Sequence, residues 1–226
     1  MHSIQKQDRR DGKENREPEK LIQSSPEIVE GVNLVRKPEK LPVFQALVAK
    51  EIEGKSASAV WIDAKNESST YAISSIGNQG LLEKVHVGRA FTPFQHNNLI
   101  QNLEEFIQDD TELLVLPNVT FLYEDGQANE WEAKELFEST WNKIKEVQER
   151  HDLKVLTSLP PRHDRFDYIL EVEKDNEIEA QPTDSGLRYN SEEYDQLVYH
   201  DSGGLQTTMP FWRRKIADQV KVTVEN

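Results

Sequence analysis

Cysteine is absent from this 226-residue chain. That excludes disulfides, thiolate metal ligands and a cysteine nucleophile, and it suits a cytoplasmic location. Long apolar runs are absent as well. None approaches the ~18 residues that a membrane span needs, and the segment from Met1 to Lys20 has no apolar core, so it is not expected to be a secretory leader. Positive charge is scarce: 27 Lys and Arg stand against 41 Asp and Glu, for a formal net charge of -14. This balance argues against a broad electrostatic footprint for nucleic acid but leaves room for a local basic patch. It also suits a high-salt cytoplasm, where screening weakens self-repulsion. The histidines (His2, His86, His96, His151, His163 and His200) show no metal-ligand spacing, and no serine sits in a nucleophile elbow.

What is present is a sequence with 30% charged residues and a mean hydropathy of -0.74, long enough for one good core and a tail. Residues 1–25 are polar, mixed in sign and aperiodic, and are expected to form a disordered tail before a single domain over 26–226. The most apolar stretch, Thr111 to Tyr123, has the unalternating run of a buried central strand in a parallel sheet. Other strands are expected at Glu27–Val35, Ala57–Asp63, Val85–Ala90 and Leu153–Ser158. Between them, helices are expected from Pro42 to Gly54, where Phe44, Leu47, Val48 and Ile52 share a face, and from Glu67 to Ile76 before a Gly77/Gly80 turn. A helix over Gln95–Gln108 should bury Leu99, Ile100, Leu103, Phe106 and Ile107, and one over Asn129–Arg150 should bury Phe137, Trp141, Ile144 and Val147. This alternation predicts an α/β fold with a doubly wound, mostly parallel central sheet. Beyond Ser158 the rhythm changes. Phe166–Val172, Glu177–Gln181 and the pair Gln196–Tyr199 and Leu205–Thr208, joined through Asp201-Ser-Gly-Gly204, predict an antiparallel C-terminal extension. An amphipathic piece from Phe211 to Val220 ends the domain.

Three strings in this order resemble the RecA/RadA strand-exchange recombinases and their paralogues. Ala59-Val-Trp-Ile-Asp63 resembles the second core strand of that family's ATPase domain. Val85-His-Val-Gly-Arg-Ala-Phe91, followed by Gln95-His96, resembles the third strand and the helix start after it. Leu113-Leu-Val-Leu-Pro-Asn-Val-Thr120 resembles the Walker B strand. The resemblance covers Ile28 to Leu159 and implies a RecA-like core. Blocks in the last third, such as Gln206-Thr-Thr-Met-Pro-Phe-Trp212, are similar to ones in proteins of halophilic archaea.

The departures from the family pattern are informative. A phosphate loop needs glycines so that backbone N–H groups can wrap the phosphates, a Lys for charge and a Ser or Thr for magnesium. Here Asn33-Leu-Val-Arg-Lys-Pro-Glu-Lys-Leu-Pro42 stands in that place, with no glycine and two prolines; Arg36, Lys37 and Lys40 are its only cations. The family's water-activating Glu falls on Lys65, its Walker B acid on Pro117, and its phosphate-sensing polar residue on Leu159. Phosphoryl transfer depends on positioned charge and metal, so the expectation is a pseudo-ATPase that is not an enzyme and holds no cofactor. Its function would be that of an accessory or regulatory protein in DNA recombination or repair, acting through contacts with another protein such as a recombinase or repair ATPase, as a monomer or dimer and with no membrane partner.

Two other readings stay open. Single-stranded DNA would be bound by Arg162, His163 and Arg165, in the place of the family's second DNA-binding loop, and by Trp212, Arg213, Arg214 and Lys215, where cations neutralise phosphates and the indole stacks on a base. Against this stand an exposed polar turn and a core tryptophan beside a helix end. Residual nucleotide binding, or a metal-dependent nuclease built on Asp63 and Lys65, would need a second acid converging from Glu27 or Glu30. The plainer reading of Asp63 is a solvated strand exit.

Overall fold

The computed structural model describes residues 25–37, 43–66, 68, 73, 79–160, 165–172, 176–183, 186–191, 194–201 and 204–207. Nine strands form one sheet in the order β3-β2-β4-β5-β1-β6-β7-β8-β9. Six of them run parallel: β1 (Val32–Arg36), β2 (Ser58–Asp63), β3 (Val85–Arg89), β4 (Thr111–Leu116), β5 (Lys154–Ser158) and β6 (Glu177–Thr183). The strands β7 (Gly186–Ser191), β8 (Tyr194–Asp201) and β9 (Gly204–Thr207) extend the sheet antiparallel.

Burial explains the apolar strands. All six residues of β2 are buried, as are Leu113 to Leu116 of β4, because helices cover both faces. One face carries helix α1 (Val43–Ile52) and the short α2 (Gln79–Glu83), with Phe44, Leu47 and Leu81 packed on Trp61, Val115 and Leu156. The other carries α3 (Pro93–Gln101), α4 (Phe121–Glu124), α5 (Glu130–His151) and α6 (Asp167–Leu170), packed on Val60, Leu114 and Val155. Phe44, Leu47, Val48 and Ile52 are buried as expected. Nearly all the rest of α1 is buried too, since Ile178, Ala180 and Tyr189 of the extension join its cluster.

Local signals set the ends of α3 and α5. The Thr92 hydroxyl accepts from Gln95 N and Pro93 takes the first helical position. Asn129 accepts from Glu132 N, with Glu130 and Glu132 in the positive first turn and Arg150 and His151 in the negative last one. Phe137, Trp141, Ile144 and Val147 are fully buried at helical spacing, each contributing about 2 kcal/mol of burial.

Several expectations are corrected. Strand β1 starts only at Val32, because Gly31 turns at φ +85° and Asn33 holds the backbone of Val29 from both sides. Ser25 is buried and its carbonyl accepts from Lys50 Nζ. Strand β4 stops at Leu116, and Phe121 to Tyr123 are helical. Gly80 lies inside α2. The helix expected to Gln108 ends at Gln101 and gives way to a 3-10 turn at Leu103–Glu105, which rotates Phe106 out to 42% exposure. Phe166–Val172 is not a strand: Asp167–Leu170 is helical, and Phe166 and Leu170, four apart, both reach the core. Glu177–Gln181 is a strand but pairs parallel with β1, so the antiparallel part begins one strand later. The pair β8–β9 is antiparallel as expected, with Asp201 opposite Gly204. The tail over 1–24, Pro42, most of the Glu67–Ile76 helix, Gly77 and the Phe211–Val220 piece lie outside the described residues.

Candidate functional site

In a sheet of this kind ligands sit past the carboxyl ends of the strands, where neighbouring strands send the chain to opposite sides. Here β2 leads to α2 and outward to β3, whereas β4 leads to α4, α5 and inward to β5. Past the carboxyl ends of β2 and β3, against α4 and the connection after it, lies a cavity of about 230 Å³. Its floor is a small apolar cluster of Ala64, Ala90, Leu122 and Phe121. Lys65, Arg89, Asp125, Gln127 and Phe91 contribute to its walls.

Asp63 organises one wall, and it is not the solvated strand exit expected. It is 0% exposed. Its Oδ2 accepts from the Ser68 hydroxyl at 2.6 Å, Ser68 N at 3.2 Å and Arg89 Nε at 3.4 Å, while its Oδ1 accepts from Lys65 N at 3.3 Å. A carboxylate so surrounded ties the β2 exit to the end of β3. Arg89 Nη2 also donates to the Ser68 carbonyl. Lys65 Nζ rests over the Phe121 ring, 4.9 Å from its centroid. Glu27 and Glu30 precede β1 and so belong to the amino edge, where Glu30 meets Lys154; neither converges with Asp63. Among the described residues no group of three His, Asp or Glu side chains is arranged to hold a metal ion.

The next gap along, between β4 and β5, is bridged by hydrogen bonds. Pro117, Asn118, Val119 and Thr120 form a buried turn, with Asn118 in the left-handed region at φ 54°. Asn118 N donates to Ser158 Oγ at 2.9 Å, Val119 N to the Ser158 carbonyl at 3.0 Å, and Thr157 Oγ1 to the Leu116 carbonyl at 2.9 Å. Leu159 packs against the core under α5. Arg36 pairs with Glu177 of the adjacent strand at 3.2 Å, and Lys37 Nζ lies 5.9 Å from the Phe44 ring centroid. Thus the topology brings Arg36, Lys65, Pro117 and Leu159 to one edge, and only Lys65 faces the cavity. Lys40 lies outside the described residues.

Of the nucleic-acid candidates, Arg165 is described. Its Nη1 is 3.9 Å from Glu130 and its N–H donates to Glu124, so it sits beside the acidic α4–α5 connection. Arg162, His163, Trp212, Arg213, Arg214 and Lys215 lie outside the described residues.

Sequence reasoning missed a buried polar chain behind the cavity. His96 Nδ1 is 2.8 Å from Tyr123 Oη, which is 2.8 Å from Thr140 Oγ1, and Asn97 Nδ2 donates to the same hydroxyl at 2.9 Å. Burial lowers the His96 pKa to about 4 and raises that of Tyr123. Both groups are therefore neutral near pH 7, and the chain joins α3, α4 and α5 by hydrogen bonds rather than charge. His96 could be read as a helix-start residue, but nothing in its spacing told of partners 27 and 44 positions away.

No protein-family model matches the chain, and no curated protein matches it either. Among the described residues no helix is long and apolar enough to cross a membrane.

Proposed function

We propose that this protein is a non-catalytic RecA/RadA-like domain, an accessory or regulator in DNA recombination or repair that acts through contacts with another protein. The observation that carries this reading is how the chain uses the edge where a nucleotide would lie. Pro117 and Asn118 are buried in a turn bonded to β5, Leu159 belongs to the core, and Arg36 is turned to Glu177. Each position has been given to packing or pairing within the chain. Further support is the sheet itself, whose six parallel strands bring these positions to one edge in the order Lys65, Pro117, Leu159, Arg36. A cytoplasmic monomer or dimer fits this reading, because a nucleotide held between protomers would have no magnesium-binding carboxylate at Pro117.

The test is affinity capture of the tagged protein under native salt, with bound proteins identified by mass spectrometry, alongside titration with ATP and magnesium. Enrichment of a recombinase or repair ATPase, with no phosphate release, is the expected result. Hydrolysis of ATP by the purified protein defeats the proposal. The single-stranded DNA reading gains nothing from Arg165, whose guanidinium is beside Glu130.

A further inference from the structure

The carboxyl edge also carries three of the exposed aromatic residues among those described. Phe91 and Trp131 are each 69% exposed, and Phe94 is 48% exposed. They belong to one end of the molecule. Helices α3 and α5 run side by side in the same direction, as shown by Asn97 on Thr140, Gln101 on Ser139 and Glu104 on Lys143. Their first turns, which hold Phe94 and Trp131, therefore lie together at the carboxyl edge. Gln127 Nε2 donates to the Phe91 carbonyl at 3.1 Å, tying the end of β3 to the connection that leads into α5. Phe91 itself lines the apolar-floored cavity.

Scattered apolar residues on a surface need no explanation, but three large exposed aromatic ones at one edge, one of them lining an apolar-floored cavity, are of the kind that partners cover. Charge narrows the choice of partner. The connection and first turn beside the patch carry Glu124, Asp125, Glu130 and Glu132. The cations nearby are already engaged: Arg89 on Asp63, Lys65 on the Phe121 ring, Lys134 on Glu138 and the Tyr168 ring, and Arg165 on Glu130, which offsets one of those four carboxylates. A nucleic-acid backbone would meet carboxylates here. So would a second copy, since a two-fold contact sets the same acidic patch against itself. A basic polypeptide meets opposite charge and a ring face for its cations.

We propose that Phe91, Phe94 and Trp131, with the cavity past the ends of β2 and β3, form the docking surface for a basic segment of a partner protein that seats one large apolar side chain in the cavity. This rests on the protein-contact reading above and names the surface and the chemistry it selects.

The test uses a pool of short fluorescein-labelled peptides with Lys and Arg flanking paired Phe and Leu residues, a matching pool with Asp and Glu flanks, and oligo-dT. Anisotropy should rise with the basic pool only. Phe91→Ser and Trp131→Ala, both at exposed positions and checked for folding by circular dichroism, should each weaken that binding about tenfold, and raised salt should weaken it further. In a Trp212→Phe background, Trp131 emission should shift to the blue on binding, since Trp61 and Trp141 are already buried. The proposal is overturned if the basic pool does not bind, if the acidic pool or oligo-dT binds better, if neither substitution matters, or if the substitutions abolish self-association instead. A captured partner that Phe91→Ser and Trp131→Ala both retain would leave the protein-contact function standing and remove this surface from it.

Discussion

Two neighbouring places at the exit of β4 are built differently. Toward β5, the Pro117–Thr120 turn is bonded to Ser158. Toward β2 and β3, the chain has already risen into α4, whose Phe121 and Leu122 line a cavity together with Lys65 and Arg89. The apolar character of β4 is the same on both sides. What differs is which backbone N–H groups find acceptors across the gap: Asn118 and Val119 do so on β5, while the β2 exit satisfies itself through Asp63.

The largest effect that would break this contrast is at Asp63. Asp63→Ala removes the acceptor shared by Ser68, Lys65 N and Arg89, and should cost about 3 kcal/mol in urea unfolding while collapsing the cavity. A wild-type midpoint in that variant would mean that the wall does not depend on the carboxylate. Acid should loosen the packing of α3, α4 and α5 next. The folded-state pKa of His96 is lowered to about 4, below its unfolded value, so the unfolded chain takes up the proton first. Its contribution is complete above the unfolded pKa of ~6.5 and is lost as pH falls toward 4, amounting to about 2 kcal/mol by pH 5. His96→Gln should flatten that part of the stability–pH curve; an unchanged slope contradicts the buried neutral imidazole. Third, Ser158→Ala takes the hydroxyl acceptor from Asn118 N and should cost about 1 kcal/mol, with faster hydrogen exchange at Asn118 as the local readout. The smallest effect is expected at the open rim. Phe91→Ser should alter stability by less than about 0.5 kcal/mol, and a larger loss would show that Phe91 is part of the core.

Much of this architecture was legible because its causes are local. The run Leu113 to Leu116 can only be a strand covered on both faces, and Asn129 followed by an apolar residue every third or fourth position marks α5 almost to the residue. Phe166–Leu170 misled because five residues satisfy either period, and only contact with Phe137 picks the helical one. Phe106 misled because a 3-10 turn shifts the phase of a helix without an obvious sequence mark. At the candidate site, Lys65 and Pro117 could be named from order along the chain. Arg89, Phe121 and Gln127 could not, because they come from the end of β3 and from the segment between β4 and α5, which meet the β2 exit only when the sheet is assembled.

By itself, then, the order of residues determined the strands, the helices with strong caps, and the absence of a glycine-rich phosphate loop, since each depends on neighbours a few positions away. Tertiary structure alone decided that Asp63 would be sealed from water, that β6 would join β1 in parallel, and that the β4 exit would be bonded to Ser158. Those outcomes depend on pairs of groups far apart in the chain, whose hydrogen bonds and contacts exist only after the strands have taken their order.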